Sequence, residues 1–210
     1  MKKIKSDILV TSKDLFNECG VANVSIREIA RKLNISASNL IYHFKSKNEI
    51  VDAIHNELFQ EALKIHARAM EEEQTLSGLF YSIIKGFEVL YQYRFLVIDI
   101  NLLVRENPVL HNKLLDVEKV RAKMYLDMIG KLIDHKLMRP PLFAKEYDFL
   151  VEQIRVFSDY WISSALVYDK GESKVIIKKY SKLFLLIVFP YLTSKGRKEF
   201  DLLMAKNNLS

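Results

Sequence analysis

The sequence predicts an all-α chain, with a small three-helix helix-turn-helix domain followed by a larger helical domain, on three observations. Gly and Pro number only 6 and 4 in 210 residues. The apolar residues between them recur at helical rather than alternating spacing, and cap residues mark helix starts and stops along the chain. Half of the residues are hydrophobic, enough for one sizeable core or for a small and a larger one. The single cysteine, Cys19, excludes an internal disulfide framework and fits a reducing compartment. With no second cysteine to resolve an oxidised form, it reads as a small buried hydrophobe near a helix end. The opening MKKIKSDILVTSKD lacks the apolar core of a signal peptide, and the apolar runs 95–104 and 183–192 fall short of the ~20 residues of a membrane helix. A soluble, cytoplasmic protein without membrane association is expected.

A first helix over 5–19 sets Ile8, Leu9, Leu15 and Phe16 on one side and ends at Gly20. A second opens at Ser25, whose hydroxyl takes an amide while Glu28, three residues on, reaches back in a capping box. Its apolar face is Ile26, Ile29, Ala30 and Leu33, and Asn34, which tolerates positive φ, stops it. Ser36 then caps a third helix whose Ala37, Leu40, Ile41 and Phe44 are the inward and flanking apolar positions. A second capping box, Ser46 to Glu49, launches a fourth helix to about Glu73, where Glu71, Glu72 and Glu73 form a solvated end. Beyond it longer, more apolar helices follow at 76–92, 94–105, 108–137, 145–168, 173–192 and 194–206. Asn107 caps the third of these with Pro108 in its first turn, and Ser194 opens the last. The domain boundary falls after residue 48, giving domains 1–48 and 49–210.

Two short helices joined by a tight turn form a helix-turn-helix, which presents the tip of its second helix to the major groove of DNA. Residues at such a tip must be small enough for close approach and must offer donors and acceptors to base edges; Ser36, Ala37, Ser38 and Asn39 meet both needs. Tyr42, His43 and Lys47 follow where phosphate-positioning groups belong, Lys47 within the first turn of the fourth helix. The charge agrees: residues 1–50 hold nine Lys and Arg against five acids, so that only +2 of the net +6 lies in the remaining chain. Lys2, Lys3 and Lys5 either form a loose tail or trail along the phosphates.

These residues, LF…G closing the first helix, SIREIARKLNIS across the second helix and turn, and LIYHFKSKNEI running into the fourth, resemble the tetracycline-repressor (TetR/AcrR) family of bacterial transcription regulators. The resemblance implies a homodimer that binds double-stranded operator DNA through the N-terminal domain, more often as a repressor, and is released by a small molecule in the C-terminal domain. It adds Ser25 and Arg27 as phosphate contacts, the Arg sometimes reaching a base, and assigns base reading to Ala37, Ser38 and Asn39. The chain departs from the family pattern at Ser38, often Gly; at Asn39, usually Thr or Ala; at Ile41, commonly a backbone-contacting Tyr; and at Asn34, frequently Gly.

For the larger domain the candidates for a ligand site are Asp99 and Asn101, which interrupt the apolar run 95–104, together with Tyr125, Phe157 and Trp161. A buried carboxylate needs a partner or a ligand, so Asp99 is either a ligand group or an acid paired with Arg or exposed at a helix edge. Any pocket here is expected to be mainly apolar and sparsely polar. Helices 145–168 and 173–192 are apolar over more of their girth than one core requires, and with the family pattern they suggest a four-helix interface between two copies. No metal-binding or catalytic motif appears and no cofactor is implied, so an enzyme is not expected. The alternatives are a helical lipid-binding protein or enzyme that uses the N-terminal module only for docking, and a protein-interaction adaptor.

Overall fold

The computed structural model describes residues 2–71 and 76–209, the side chains of Lys2 and Glu71 excepted. Helices account for most of the described backbone. Among the described residues there is no strand, only an isolated antiparallel bridge between Met138 and Leu192. Contacts divide the chain into two compact units, one formed by Met1–Glu61 with Gln92–Leu114 and the other by Ala62–Tyr91 with Leu115–Ser210. The first unit is wider than residues 1–48 because the core of the three short helices is completed by the start of the fourth helix and by residues 92–114.

In the first unit α1 runs Lys2–Cys19, α2 Ile26–Lys32 and α3 Ala37–His43, and α4 begins at Lys47 and continues to Glu71. Gly20 closes α1 at φ 79°, and Asn34 takes φ 55° in the turn between α2 and α3. A short 3-10 turn, Val21–Asn23, follows Gly20. The core is Ile8, Phe16, Val21, Val24, Ile29, Ala30, Leu40, Phe44, Ile50 and Ile54, with Phe95, Leu96 and Leu103. The Ser25 box forms in full, with the Glu28 amide on Ser25 Oγ at 3.2 Å and the Ser25 amide on Glu28 Oε2 at 2.7 Å. At Ser46 only half of the expected box forms. The Glu49 amide reaches Ser46 Oγ at 3.2 Å, but the Glu49 carboxylate accepts from the amide of Lys45, one residue earlier, at 2.7 Å. Cys19 is exposed rather than buried, because α1 turns its core face through Phe16 and leaves residue 19 outside. The expected acidic end of the fourth helix lies outside the described residues beyond the backbone of Glu71.

The helix expected over 94–105 is broken, with α6 at Phe95–Ile98 and α7 at Ile100–Glu106. In the second unit, α5 (Leu76–Gln92) contributes all but its last residue, and α8 (Pro108–Asp134) contributes from Leu115 onward. Asn107 caps α8 as expected, accepting the Leu110 amide at 3.1 Å. This helix ends three residues early because Lys136 takes φ 60° and the Leu137 amide folds back to the Leu132 carbonyl. Helix α9 is Glu146–Tyr168, α10 is Ser173–Val188 and α11 is Ser194–Lys206. Pro190 has no N–H to continue α10, so Phe189–Tyr191 tightens into a 3-10 turn. Thr193, not Ser194, caps α11, its hydroxyl accepting the Gly196 amide at 3.1 Å.

Two close contacts fix the connection between α8 and α9, one to the start of α9 and one to the start of α11. Arg139 grips Glu146 with both terminal nitrogens, at 2.6 and 2.8 Å, and the Leu142 amide adds a third bond at 2.7 Å. Gly196 lies so near the Leu137 carbonyl that a Cβ would stand 2.1 Å from its oxygen. Gly196→Ala is therefore expected to lose about 1–3 kcal/mol in chemical denaturation, since backbone rather than a pliable side chain must yield. The Arg139 bonds hold the Glu146 carboxyl down at about 2 from an ordinary 4.5. A depressed native pKa contributes stability above the unfolded value and loses it as pH falls through the native one. Glu146→Gln should accordingly lower the melting temperature at pH 7, with the gap to wild type closing between pH 4.5 and about 2.

Candidate nucleic-acid interface and ligand cavity

The turn between α2 and α3 is closed by its own backbone, the Asn34 amide to the Arg31 carbonyl at 3.1 Å and the Ile35 amide to the Ala30 carbonyl at 3.0 Å. Ser36 then caps α3, its Oγ accepting the Asn39 amide at 3.1 Å. Leu40 and Phe44 sink into the core, which turns the opposite side of α3 outward. Ser36, Ser38 and Asn39 are exposed and Ala37 is half-buried, so the tip is small and polar and is held by one cap and two apolar anchors. Tyr42 stands 66% exposed with the His43 ring edge-on at 5.2 Å, which excludes an inward aromatic cluster for this pair. Ile41 is also exposed, at 42%, on the flank of α3 rather than inside. Ser25 and Arg27 are exposed at the start of α2, and Glu28 is held below the ordinary carboxylate range by the Ser25 amide and hydroxyl. Lys3 and Lys5 belong to α1 and are exposed, Lys5 with its ammonium 5.5 Å from the Phe44 ring.

Lys47 has a structural partner. Its Nζ donates to the Val21 carbonyl at 2.7 Å, while the Val21 amide donates to Asp99 Oδ2 at 2.8 Å. Asp99 sits at the break between α6 and α7, and its carboxylate also lies 3.6 Å from where a Cβ on Gly20 would be. Asp99 thus stands at a helix edge as a half-buried carboxylate that accepts the first amide of the 3-10 turn ahead of α2. Asn101 is exposed in the same unit. Nearby, Asn17 accepts the Phe95 amide at 3.1 Å and donates to the Gln92 carbonyl at 2.8 Å, pinning α1 to the start of α6.

The second unit contains a cavity of about 140 Å³ between α4, α5 and α8, lined by Ala62, Ile65 and His66, by Leu79, Ser82 and Gly86, and by Arg121, Met124, Tyr125 and Met128. Tyr125, one of the ligand-site residues expected from the sequence, lines this cavity. Phe157 and Trp161 do not line this cavity. They belong to an aromatic cluster in which Phe87 stacks on Trp161 at 4.8 Å and Tyr180 tilts against Trp161 at 5.3 Å. The α8 wall, residues 121, 124, 125 and 128, has a helical face spacing that the sequence displays openly. His66, Ser82 and Gly86 gave no signal, because nothing local says which face of α4 or α5 meets a void. Burial lowers the His66 pKa, helped by Lys131 and opposed by Asp127, so the imidazole is neutral at pH 7. Burial likewise raises the Tyr125 phenol. No helix among the described residues is long and apolar enough to cross a membrane, and no cluster of His, Cys, Asp and Glu among them suits a metal ion.

Two family models match the chain: bacterial regulatory proteins, tetR family, over residues 8–54, and bacterial transcriptional repressor over residues 58–200. The class G tetracycline repressor protein of Vibrio anguillarum is 28% identical over 69 residues, 33% of this chain and 31% of that protein. The match thus spans about a third of that repressor's length. A TetR-family transcriptional regulator from Marinobacter aquaeolei VT8 superposes with a TM-score of 0.87 at 23% identity, covering 96% of this chain and 97% of its own. The ketosteroid transcriptional regulator KstR2 of Mycobacterium tuberculosis gives 0.69 at 18% identity, covering 90% and 95%. At these identities the two structures speak for the fold alone. The matched families and these neighbours are transcriptional regulators, not enzymes.

Because Asp99 is the acceptor for a half-buried amide, Asp99→Ala should cost about 1–3 kcal/mol of stability in urea unfolding, the penalty for an orphaned donor.

Proposed function

The chain belongs to the tetR family of bacterial transcriptional regulators, and on that premise we propose that it binds an operator as a homodimer, represses the adjacent genes, and lets go when a small, mainly apolar ligand enters the second unit. The observation that carries the DNA-binding reading is the tip of α3: a capped, exposed Ser36, Ser38 and Asn39 set on a buried Leu40 and Phe44, with Tyr42 and Arg27 exposed beside it. In this reading Ala37, Ser38 and Asn39 meet base edges, and Ser25, Arg27, Ser36, Tyr42, His43 and Lys47 hold phosphates. Lys47 keeps two further N–H groups for a phosphate while bonded to Val21.

Apolar side chains left in water support the dimer. Phe149, Val156, Tyr160 and Val167 share one side of α9 and are each 49–72% exposed, and Val175, Leu183 and Leu186 line α10 at 40–64%. Stripes of this kind are covered in a stable protein, and a second copy supplies an identical pair. The cavity supports the ligand. Release follows if the ligand favours a conformer whose two recognition helices no longer match half-sites about one helical turn, ~34 Å, apart. Operator DNA and repression together imply a cytoplasmic protein.

Footprinting on the DNA that flanks its own gene tests binding, two-fold symmetry and target together. A protected, roughly palindromic site whose occupancy falls steeply with salt is expected, and no protection at low salt would remove the reading. Asn39→Ala should change the preferred base at one position of each half-site, by about 1–3 kcal/mol of discrimination. Tyr42→Phe, by contrast, should weaken all sequences alike.

A further inference from the structure

The cavity between α4, α5 and α8 carries a statement about the charge of its occupant, which rests on the effector reading above. Its walls are apolar at Ile65, Leu79, Met124 and Met128, and the cationic side chain among its lining residues is Arg121. A lone arginine in an apolar cavity would invite a carboxylate. This one is already taken. Its Nη1 and Nη2 each donate to Asp159 Oδ1 at 3.1 Å, Nε donates to Glu118 Oε2 at 2.8 Å, and Nη2 stands 2.6 Å from the same Glu118 oxygen.

The surrounding charge leans the same way. Arg155 lies 3.9 Å from Asp159 and 3.8 Å from Glu118, and it is itself paired with Glu152 at 2.7 Å. Two arginines thus face three carboxylates. Burial pushes the Glu118 carboxyl up, while both arginines oppose that shift and are themselves already paired with acids of this chain. An anion entering beside Arg121 would either stay unpaired in an apolar wall or have to displace a carboxylate of this chain. Of the remaining polar lining residues, Ser82 donates to the Leu79 carbonyl at 3.4 Å and Tyr125 is hydrogen-bonded to Ser158, whereas His66, whose charged form burial disfavours, makes no hydrogen bond to another described residue and offers one donor or one acceptor.

We propose that the cavity selects an uncharged molecule about the size of one aromatic ring, anchored by a single hydrogen bond to His66, and that the Glu118–Arg121–Asp159 cluster excludes carboxylate analogues. The size follows from the volume: about 140 Å³ is close to the ~150 Å³ of an engineered apolar cavity that takes benzene.

The test uses the full-length protein and three probes on one ring, toluene, benzyl alcohol and benzoate at pH 7.5, read by calorimetry and by the fluorescence of the single tryptophan, Trp161. That residue stacks on Phe87, next to the lining residue Gly86. Benzyl alcohol should bind at least about tenfold tighter than benzoate. Asp159→Asn, or Glu118→Gln if the first variant folds poorly, frees part of Arg121 and should raise benzoate affinity several-fold while leaving toluene unchanged. His66→Ala should reduce benzyl alcohol binding toward that of toluene. Benzoate binding as tightly as benzyl alcohol to the wild type, or failing to respond in both carboxylate variants, overturns the proposal. Binding of none of the three probes also overturns it, and footprinting then decides separately whether operator binding stands. Protection without ligand binding would leave the DNA reading intact and this one lost.

Discussion

Val21 is held by both of its backbone groups, and the arrangement of the first unit hangs on that. Its amide is given to Asp99, 78 residues away, and its carbonyl takes the ammonium of Lys47. Gly20 must turn the chain at positive φ immediately before it, and Ser25 starts α2 immediately after the same short turn. Three elements that are distant in sequence therefore meet at one residue: the end of α1, the first turn of α4 and the break between α6 and α7. The break itself makes sense in these terms. A continuous helix over 94–105 would carry Asp99 as an ordinary surface residue, whereas at the interruption its carboxylate reaches an amide that no helix satisfies.

The same site shows what sequence reading reaches and where it stops. Gly20, the Ser25–Glu28 box, Asn34 and Ser36 were all legible, because caps and positive-φ positions are decided by neighbours within four residues. The partner of Asp99 was not, because no local rule links it to Val21, 78 residues away. Small slips had similarly local competition behind them. Glu49 has two amides within reach and takes that of Lys45, while Thr193 and Ser194 are adjacent cap residues of which the first wins. The compact units divide at a different place from the expected boundary after residue 48, since α4 is a single helix whose residues to Glu61 pack in one unit and whose later residues pack in the other.

In the second unit the ligand candidates were chosen by residue type, and type alone separates poorly. Tyr125 lines the cavity, while Phe157 and Trp161 fill an aromatic cluster with Phe87 and Tyr180. All three are aromatic residues on apolar helix faces, so composition gives them equal standing. What distinguishes them is the neighbour across the helix: Gly86 and Ser82, being small, leave volume opposite Tyr125, whereas Phe87 meets Trp161 ring to ring. A void is a property of facing pairs, and one strand of sequence carries only half of each pair.

Positive charge is used in two opposed ways in this chain, and the contrast bears on function more directly than the net charge does. In the first unit Arg27 and Lys32 on α2 and Lys45 after α3 stand exposed, where a polyanion can meet them by releasing its counterions. In the second unit Arg121 is half-buried and already bonded to two carboxylates, so its charge organises α8 against α9 and is not on offer. A count of basic residues treats these groups alike. Their burial and partners do not: an exposed, unspent cation favours an anionic partner, and a spent one inside an apolar wall disfavours it. On the proposed reading the exposed cations of the first unit serve a nucleic acid while the arginine of the cavity is already paired, so an effector and a nucleic acid need share no chemistry to act on the same molecule.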